Sequence, residues 1–283
     1  MGTPGTETCA HDGAPPEFAS LRASLENIGP RIVACSGGID SLILATVAHA
    51  AAPEATLVAH TVTPAVPSAG TARVVGAARR NGWSLEIVQS NEFEDERYLA
   101  NPTNRCYFCK TNLYDAIGAL AGLDSTMPGA TVVSGANVDD LGDYRPGLLA
   151  ADEHGVRHPY VEAGVDKSAI RAMARYLGFD EPDLPASPCL ASRLYTGTRV
   201  TADRLRAIEL GEAVLADAGF PVNRCRLRED DVHVEVPGEH RERVTTELLA
   251  DVERAMRSVV PELGAVNLDD RPYRAGQAVL GVR

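Results

Sequence analysis

The sequence predicts an α/β protein with a parallel sheet that helices cover on both faces, followed by a smaller α+β unit. In the first half of the chain, short apolar runs of β type alternate with helical stretches, which is the pattern of such a sheet. Beyond about residue 200 this alternation stops. With 283 residues, of which 45% are hydrophobic, the chain has enough material for one large domain or two ordinary ones.

Four apolar runs predict the strands of the first unit. They are residues 31–35, 56–62, 84–89 and 130–136, and the predicted helices are 41–52, 70–82, about 102–122 and 166–178. Asp166 is the candidate N-cap of the last helix and Gly178 its stop. In a parallel sheet of this kind ligands bind beyond the carboxyl ends of the strands, so we expect functional residues there.

A proline-rich segment follows the first unit. Pro182, Pro185 and Pro188 prevent one continuous helix. After it, the sequence predicts helices over 201–218 and 239–257 and strands near 223–229, 232–237 and 265–269. We therefore divide the chain into a disordered leader (1–17), a larger domain (18–198) and a small α+β domain (199–283) for substrate binding and homo-oligomer formation.

Composition limits the possible partners. The chain has 39 acidic and 27 basic residues, and a net charge of −12 disfavours nucleic acid but allows a small anionic substrate in a local basic pocket. No apolar run reaches the roughly 20 residues that cross a bilayer, and the N-terminal segment lacks the basic and apolar regions of an export signal. We expect a soluble, cytoplasmic protein with no membrane partner, whose six cysteines are too few for a disulfide scaffold.

The segment CSGGIDS (35–41) joins the first strand to a helix and predicts an anion site. Its two glycines let the backbone approach a ligand, and the first helical turn points free N–H groups at negative charge. The two serines add hydroxyl donors, and the aspartate is placed to hold Mg²⁺ against phosphate. These positions are Ser36, Gly37, Gly38, Asp40 and Ser41. The alternative is an ordinary strand–turn–helix joint; Walker A and dinucleotide-binding patterns are both absent.

In this position, SGGIDS resembles the ATP loop of the N-type ATP pyrophosphatases. Those enzymes cut ATP between the α and β phosphates, adenylate a carboxyl or carbonyl oxygen, and let a nucleophile displace AMP. The resemblance implies adenine contact by His60 at the end of the second strand. It also implies that Asn137, Asp139 and Asp140, after the fourth strand, lie at the mouth of the ATP site. A polar loop whose acids cap a helix is the alternative, and it is the preferred interpretation for Asp143.

Three cysteines are candidates for metal binding or sulfur chemistry. Asn101 can cap a helix with Pro102 at its first position, which places Cys106 and Cys109 on one face at i, i+3. Cys189 lies much further along the chain, in the irregular segment ASPCLASR, where no helix constrains its thiol.

Three thiolates of this kind suit two different metal sites. One is a zinc site completed by His154 or His158, and the other is an iron–sulfur cluster with one iron left open. A redox disulfide between the two nearest cysteines is less well supported, because no thioredoxin-like sequence surrounds them. Among the other cysteines, Cys9 lies in the leader, and Cys35 and Cys225 are predicted to be buried.

The segment NRCRLR (223–228) predicts a strand with two unlike faces. Alternation puts its arginines on one face and Cys225 with Leu227 in the core. The basic strip consists of Arg224, Arg226 and Arg228. It suits phosphate, and it is a local exception in an acidic chain; the alternative is a solvated strand face.

Four strings, in chain order, resemble the LarE family, the pyridinium-3,5-bisthiocarboxylic acid mononucleotide synthases. They are SGGIDS, EFEDERYLANPTNRCYFCK, DDLGDYRPG and PASPCLASRLYTG, and the similarity runs from about residue 30 to the C-terminus. The resemblance implies a Rossmann-like PP-loop domain of the adenine nucleotide alpha hydrolase type. It also implies sulfur transfer for nickel-pincer nucleotide synthesis. In that reaction ATP adenylates a carboxylate of pyridinium-3,5-biscarboxylic acid mononucleotide, and sulfur displaces AMP to give a thiocarboxylate.

The same resemblance assigns roles to residues. Cys106, Cys109 and Cys189 match the members that ligate a [4Fe-4S] cluster for sulfide delivery, whereas other members sacrifice the sulfur of one cysteine. The positions where the family binds substrate are Ser192, Arg193, Arg224 and Arg226. The implied cofactors are ATP, Mg²⁺ and the cluster, and the implied partners are a small nucleotide carboxylate and a source of sulfide.

Two departures from the family pattern leave the substrate open. Residues 193–197 read RLYTG where most members read RxPYG, and residues 63–75 lack the acidic residues usual after the second strand. An enzyme that sulfurates a different small carboxylate would have a similar sequence. An enzyme that thiolates tRNA is another alternative, although the net charge and the lack of an extra N-terminal RNA-binding domain oppose it. A non-enzymatic metal-binding protein is a third alternative, which the intact SGGIDS string opposes.

Overall fold

The computed structural model describes residues 13–142, 145–185 and 187–274. Cys9 and most of the predicted leader lie outside these ranges, as do Asp143 and residues 275–283. Helix α1 (Pro16–Ile28) begins inside the stretch that the sequence assigned to the leader. No helix in the described ranges is long and apolar enough to cross a membrane.

A parallel sheet forms the centre of the first unit. Within the described ranges its strands are β1 (Arg31–Ala34), β2 (Thr56–Thr61), β3 (Leu85–Val88) and β4 (Thr131–Ser134). They lie in the order β3-β2-β1-β4, and every pairing is parallel. The predicted α/β class with a helix-flanked parallel sheet is therefore confirmed, and it is consistent with a Rossmann-like fold.

Helices cover both faces of this sheet. They are α1, α2 (Ile39–Ala51), α3 (Ser68–Asn81), α5 (Arg105–Gly118), α6 (Pro146–Glu153), α7 (Pro159–Glu162) and α8 (Lys167–Tyr176). The short helix α4 (Glu96–Leu99) packs against α5, and its Tyr98 lies in the core of the smaller unit. Successive strand residues point to opposite faces. Val33 accordingly packs in a core with α1, α2 and α8, whereas Ile32 packs in a second core with Ile117 of α5.

Helix α1 is the main element that the sequence analysis did not predict. Leu21, Leu25 and Ile28 are buried at the spacing i, i+4, i+7, which is one face of a helix. By contrast, the predicted caps of α8 are confirmed. The Asp166 side chain accepts a hydrogen bond from the N–H of Ala169 at 2.8 Å, and Gly178 follows the helix with a φ of 70°.

The described residues form a second, smaller sheet. Strands β5 (Arg224–Arg228) and β6 (Asp231–Glu235) pair antiparallel, and β7 (Val266–Leu268) pairs parallel with β6. Helices α9 (Ala202–Asp217) and α10 (Thr246–Arg257) pack against it. The second helix predicted here starts later than expected, because Thr245 is its N-cap and accepts from the N–H of Leu248 at 3.2 Å. Cys225 is fully buried, as predicted.

The predicted role of Asn101 is wrong. It does not cap a helix, since α5 begins at Arg105 and Asn101 has a φ of 52°. Its amide instead donates hydrogen bonds to the carbonyls of Tyr195 and Thr198, both at 2.8 Å. A buried amide that links two distant segments in this way is not free to bind a helix N-terminus.

Candidate functional site

The SGGIDS loop leaves β1 and enters α2 in a tightly fixed conformation. The N–H of Ser36 donates to Ser41 Oγ at 3.1 Å, and Ser41 Oγ donates to the carbonyl of Gly38 at 2.9 Å. Gly37 has a φ of 82°, and a Cβ there would collide with the carbonyl oxygen of Gly70 on α3. Arg73 Nε donates to the Gly37 carbonyl at 2.8 Å, so a side chain of α3 helps to fix the conformation of the loop.

Oxygen and amide groups face this loop from the segment after β4. Asn137 Nδ2 donates to Asp40 Oδ2 at 3.3 Å, and the Asn137 N–H donates to Asp140 Oδ2 at 3.1 Å. Burial raises the pKa of Asp40, and Asp140 adds to this while Lys167 opposes it. Carboxylate oxygens suit a hard cation, so half-buried Asp40 and buried Asp140, which also pairs with Arg145 at 2.9 Å, are the side chains that would hold Mg²⁺. Asp139 lies apart, because its carboxylate accepts from the N–H of Lys167 at 2.8 Å.

His60 lies at the end of β2, where the sequence predicted adenine contact. Its ring nitrogens are both engaged inside the protein, Nδ1 with the Cys35 carbonyl at 2.8 Å and Nε2 with Thr71 Oγ1 at 2.9 Å. Burial lowers the pKa of His60. The next residue, Thr61, has a buried Oγ1 with no hydrogen-bond partner in the described part of the chain. Thr61 is therefore the better placed of the two side chains to bind a ligand.

Two cavities meet at this end of the sheet. The larger, of about 470 Å³, is lined by the loop from Ser36 to Ser41, by the residues after β4, and by Cys106 and Lys110 of α5. The smaller, of about 100 Å³, is lined by His60, Thr61 and Cys189. Ser36 and Lys110 line both cavities. The SGGIDS loop and two of the candidate cysteines therefore share one region.

The three candidate cysteines approach this region from two elements. Cys106 and Cys109 lie in the first turns of α5, and Cys189 precedes a 3₁₀ turn at Leu190–Arg193. Burial raises the pKa of Cys109 to about 12, and the charge of Cys189 adds to the effect. The same two causes, in the same order, raise the pKa of Cys106. Over the described ranges, however, no three His, Cys, Asp or Glu side chains have the geometry of a metal site.

The histidines proposed for a zinc site are engaged elsewhere. His154 Nε2 lies 3.1 Å from Asp115 and its Nδ1 lies 2.7 Å from the Ala150 carbonyl. His158 Nδ1 lies 2.9 Å from Ser134 Oγ. Neither bonds to one of the three cysteines.

Two cations of α5 lie beside the cysteines. Arg105 donates to Asn101 Oδ1 at 2.6 Å and to the Ala191 carbonyl at 2.8 Å, which ties the start of α5 to the segment after Cys189. Lys110 has no carboxylate within salt-bridge distance in the described ranges. Tyr114 and then the three thiol groups raise the pKa of Lys110, so its ammonium stays charged at neutral pH.

The arginines predicted for substrate binding are held by acidic partners. Arg193 makes a two-pronged ion pair with Glu212 at 2.9 and 2.8 Å, and Arg226 Nε donates to Glu235 at 2.7 Å. Arg224 differs, because its guanidinium lies over the Tyr273 ring, 5.0 Å from the centroid. The predicted strip is thus not uniform, since one of its members is buried in an ion pair.

These arginines also fix the backbone around Cys189. Arg193 donates to the Pro188 carbonyl at 2.8 Å and to the Ser192 hydroxyl at 3.1 Å. Arg226 donates to the Ser192 carbonyl at 3.0 Å. The predicted substrate residues and the predicted sulfur residue therefore belong to one hydrogen-bonded unit.

Comparison with known proteins places this site in context. No family model matches the chain. The chain is 29% identical over 225 residues to the pyridinium-3,5-bisthiocarboxylic acid mononucleotide synthase of Lactiplantibacillus plantarum, which covers 77% of this chain and 79% of that protein. It is 34% identical over 223 residues to the uncharacterized protein slr1717 of Synechocystis sp., covering 79% of this chain and 82% of that protein. The chain therefore belongs to the same family as slr1717, and its similarity to the Lactiplantibacillus plantarum synthase supports the resemblance to LarE proteins. The uncharacterized protein MJ0830 of Methanocaldococcus jannaschii is a further relative, at 28% identity over 178 residues, which are 63% of this chain and 66% of that protein.

The cysteine region of this LarE-like chain fits a sulfur-rich group by its chemistry. Three free thiols face two cations there. The phenol of Tyr98 lies in the same region, buried, with no hydrogen-bond partner among the described residues. Thiolates as ligands, with cations and an unused donor around them, suit an iron–sulfur group.

Sequence reasoning missed four residues of the site. They are Arg73, Tyr98, Glu212 and Glu235. Glu235 was accessible from the sequence, because in an antiparallel hairpin with β5 it lies directly opposite Arg224. The pairing of Arg193 with Glu212 joins a turn to the helix after it and has no local pattern that reveals it.

Proposed function

We propose that this protein is an ATP-dependent sulfur transferase that converts a carboxylate of a small nucleotide into a thiocarboxylate. The observation that carries the proposal is the pair of adjoining cavities. The SGGIDS loop and Cys106 line one of them and Cys189 lines the other, while Ser36 and Lys110 line both. An activated substrate held at the loop would therefore lie next to the sulfur-bearing side chains.

The first step uses the loop and the acidic residues beside it. The loop N–H groups and the hydroxyls of Ser36 and Ser41 bind the ATP phosphates, and Asp40 with Asp140 would hold Mg²⁺, which offsets phosphate charge. A substrate carboxylate oxygen attacks the α phosphorus, and the bond from that phosphorus to the bridging oxygen breaks. Pyrophosphate leaves with the electron pair of that bond, and the substrate becomes an acyl adenylate.

The second step uses the cysteine region. A [4Fe-4S] cluster held by Cys106, Cys109 and Cys189 would supply sulfide as the nucleophile. Sulfur attacks the carbonyl carbon, AMP leaves with the bonding electrons, and the thiocarboxylate remains. Lys110, charged and reaching both cavities, stabilises the negative charge that grows on the leaving phosphate.

We assign substrate binding to the segment after Cys189 and to β5. Among Arg193, Arg224 and Arg226, only Arg224 has no salt-bridge partner in the described ranges, and we assign it to the substrate phosphate. Burial lowers the pKa of Arg224, and the nearby charges of Arg193 and Arg226 lower it further. Both of these arginines hydrogen-bond to Ser192 and fix the adjoining segment. In this scheme residues 18–198 form the PP-loop ATP pyrophosphatase domain, and residues 199–283 form the unit for substrate binding and homo-oligomer formation.

The substrate we propose follows from the named relative. A protein that synthesises pyridinium-3,5-bisthiocarboxylic acid mononucleotide makes a molecule with two thiocarboxylates. The matching carboxylate precursor is pyridinium-3,5-biscarboxylic acid mononucleotide, which leads to a nickel-pincer nucleotide.

One assay tests the reaction and the source of sulfur together. Anaerobically purified protein is incubated with ATP, MgCl₂, sulfide and pyridinium-3,5-biscarboxylic acid mononucleotide, and pyrophosphate and product mass are measured. We expect one pyrophosphate per thiocarboxylate and repeated turnover, about four irons per chain, and loss of both iron and turnover in Cys109→Ala.

Cys225→Ala serves as the matched control, because Cys225 is buried in the small sheet away from these cavities and its loss should leave iron content unchanged. A single turnover without iron, with Cys189 converted to dehydroalanine, would show that Cys189 itself donates the sulfur and that no cluster is used. No pyrophosphate with any carboxylate tested would refute the proposed function.

A further inference from the structure

Tyr98 is a buried phenol that lies against the cysteine region. It is 1% exposed and belongs to α4, which Asp95 caps by accepting from the N–H of Arg97 at 3.0 Å. Its ring packs edge-on against Phe93, with the centroids 5.6 Å apart. Cys109 and Cys189 pack against the same apolar cluster.

The hydroxyl of Tyr98 has no hydrogen-bond partner among the described residues. A buried hydroxyl left unpaired destabilises the folded state, so buried tyrosines normally find an acceptor. A Phe at this position would fill the same apolar space without that cost. The hydroxyl is therefore either a defect or a donor for something that binds there.

Two charged side chains near the hydroxyl are engaged with other partners. Glu92, which is buried nearby, accepts a short hydrogen bond from Ser90. Arg105 is itself a donor, and it is directed at Asn101 and at the Ala191 carbonyl. The side chains of Cys109 and Cys189 pack against the cluster that contains the Tyr98 ring, and after burial it is their charges that raise the pKa of Tyr98, so the phenol keeps its proton at neutral pH.

We propose that the Tyr98 hydroxyl donates a hydrogen bond to the sulfur group that Cys106, Cys109 and Cys189 hold. This inference rests on the proposed function, since it requires a sulfur group at the three cysteines. Hydrogen bonds to the sulfurs are one of the features that set the reduction potential of such a group, because they favour the more negatively charged, reduced form. Tyr98 would then raise the reduction potential of the sulfur group without being one of its ligands.

The test compares Tyr98→Phe with Tyr107→Phe. Tyr107 is a suitable control because it adjoins Cys106 in α5, yet its hydroxyl donates to Glu153 at 2.7 Å, outside the cysteine region. Wild-type protein and both variants are reconstituted anaerobically with ferrous iron and inorganic sulfide. Iron per chain is counted, and the midpoint potential is measured by reductive titration followed by visible absorption.

We expect all three proteins to bind iron equally and only Tyr98→Phe to become harder to reduce. The expected size is roughly a tenfold fall in the ratio of reduced to oxidised group at a fixed potential, which for one electron is about 59 mV. In iron-free protein, Tyr98→Phe should leave the urea midpoint unchanged or raise it, because an unpaired hydroxyl has been removed.

Each contrary result has a distinct meaning. If the wild type binds iron but Tyr98→Phe has the same potential as Tyr107→Phe, the role of Tyr98 is refuted and the proposed function stands. A lower urea midpoint for iron-free Tyr98→Phe would show that the hydroxyl has a partner within the protein, which also refutes it. If the wild type binds no iron, the cluster and the inference that depends on it both fail.

Discussion

Arg226→Ala tests the buried ion pair at the substrate end of the site. Arg226 is 4% exposed and Glu235 is 0% exposed, with their charged atoms 2.7 Å apart. The variant leaves Glu235 as an unpaired buried charge, and one oxygen of Glu235 already lacks a hydrogen-bond partner within the described ranges. Breaking such a pair costs about 3–5 kcal/mol of unfolding free energy. Arg228→Ala, at an exposed position of the same strand, should cost no more than about 0.5 kcal/mol.

The loss of unfolding free energy in Arg226→Ala should depend on pH. Burial raises the pKa of Glu235, and Arg226 opposes that rise, so the variant raises the pKa further. The unfolded pKa of a glutamate is about 4.3, and folding raises the pKa of Glu235 above this value. The stability that such a group contributes is fully present below its unfolded pKa, and it is lost as the pH rises through the folded pKa. The penalty should therefore be smaller at pH 5 than at pH 8, with a slope of at most about 1.4 kcal/mol per pH unit.

Urea unfolding followed by circular dichroism measures both effects. Wild type, Arg226→Ala and Arg228→Ala are unfolded at pH 5, 6, 7 and 8, and the free energies are compared at equal m-value. Equal losses for the two variants at pH 8 would refute the reasoning. So would a gap between them that does not change with pH.

Two further predictions concern the loop. Gly37→Ala should weaken ATP binding at least tenfold by calorimetry, because a Cβ at this left-handed position collides with the Gly70 carbonyl. The control Gly76→Ala, within α3, should bind ATP normally. Equal affinities for the two variants would contradict this prediction. Arg73→Ala removes the hydrogen bond to the Gly37 carbonyl and should raise the KM for ATP about tenfold with kcat little changed, since a charged hydrogen bond is worth roughly 1.5 kcal/mol or more. Arg79→Ala, exposed on the same helix, is its control, and an unchanged KM in Arg73→Ala would show that the loop does not depend on α3.

The sequence predicts the sheet well because the signal for a buried parallel strand is local. β1 and β2 are covered on both faces and nearly every residue in them is buried, so the apolar runs at 32–34 and 57–59 stand out. Helix α1 was overlooked next to a Pro/Gly-rich leader, although Leu21, Leu25 and Ile28 carry a helical spacing. Asn101 was misplaced because its partners, Tyr195 and Thr198, are more than ninety residues away.

The candidate site divides in the same way. The SGGIDS loop is a continuous string whose chemistry depends on its own backbone, so it could be found without a structure. The pairing of Arg193 with Glu212, and the phenol of Tyr98 with no partner among the described residues, are defined by burial and by contacts between separate segments. No pattern of spacing along the chain reports on either. Glu235, by contrast, could be found from strand pairing, because it lies opposite β5 in the hairpin.

The hydrogen bonds around Cys189 fix the backbone on both sides of this thiol. The guanidiniums of Arg193 and Arg226 hold the carbonyls of Pro188 and Ser192, which flank Cys189 in the chain. Each guanidinium is also paired with a carboxylate, Arg193 with Glu212 and Arg226 with Glu235. A change in either carboxylate would therefore reach the thiol through the backbone, without any contact between them.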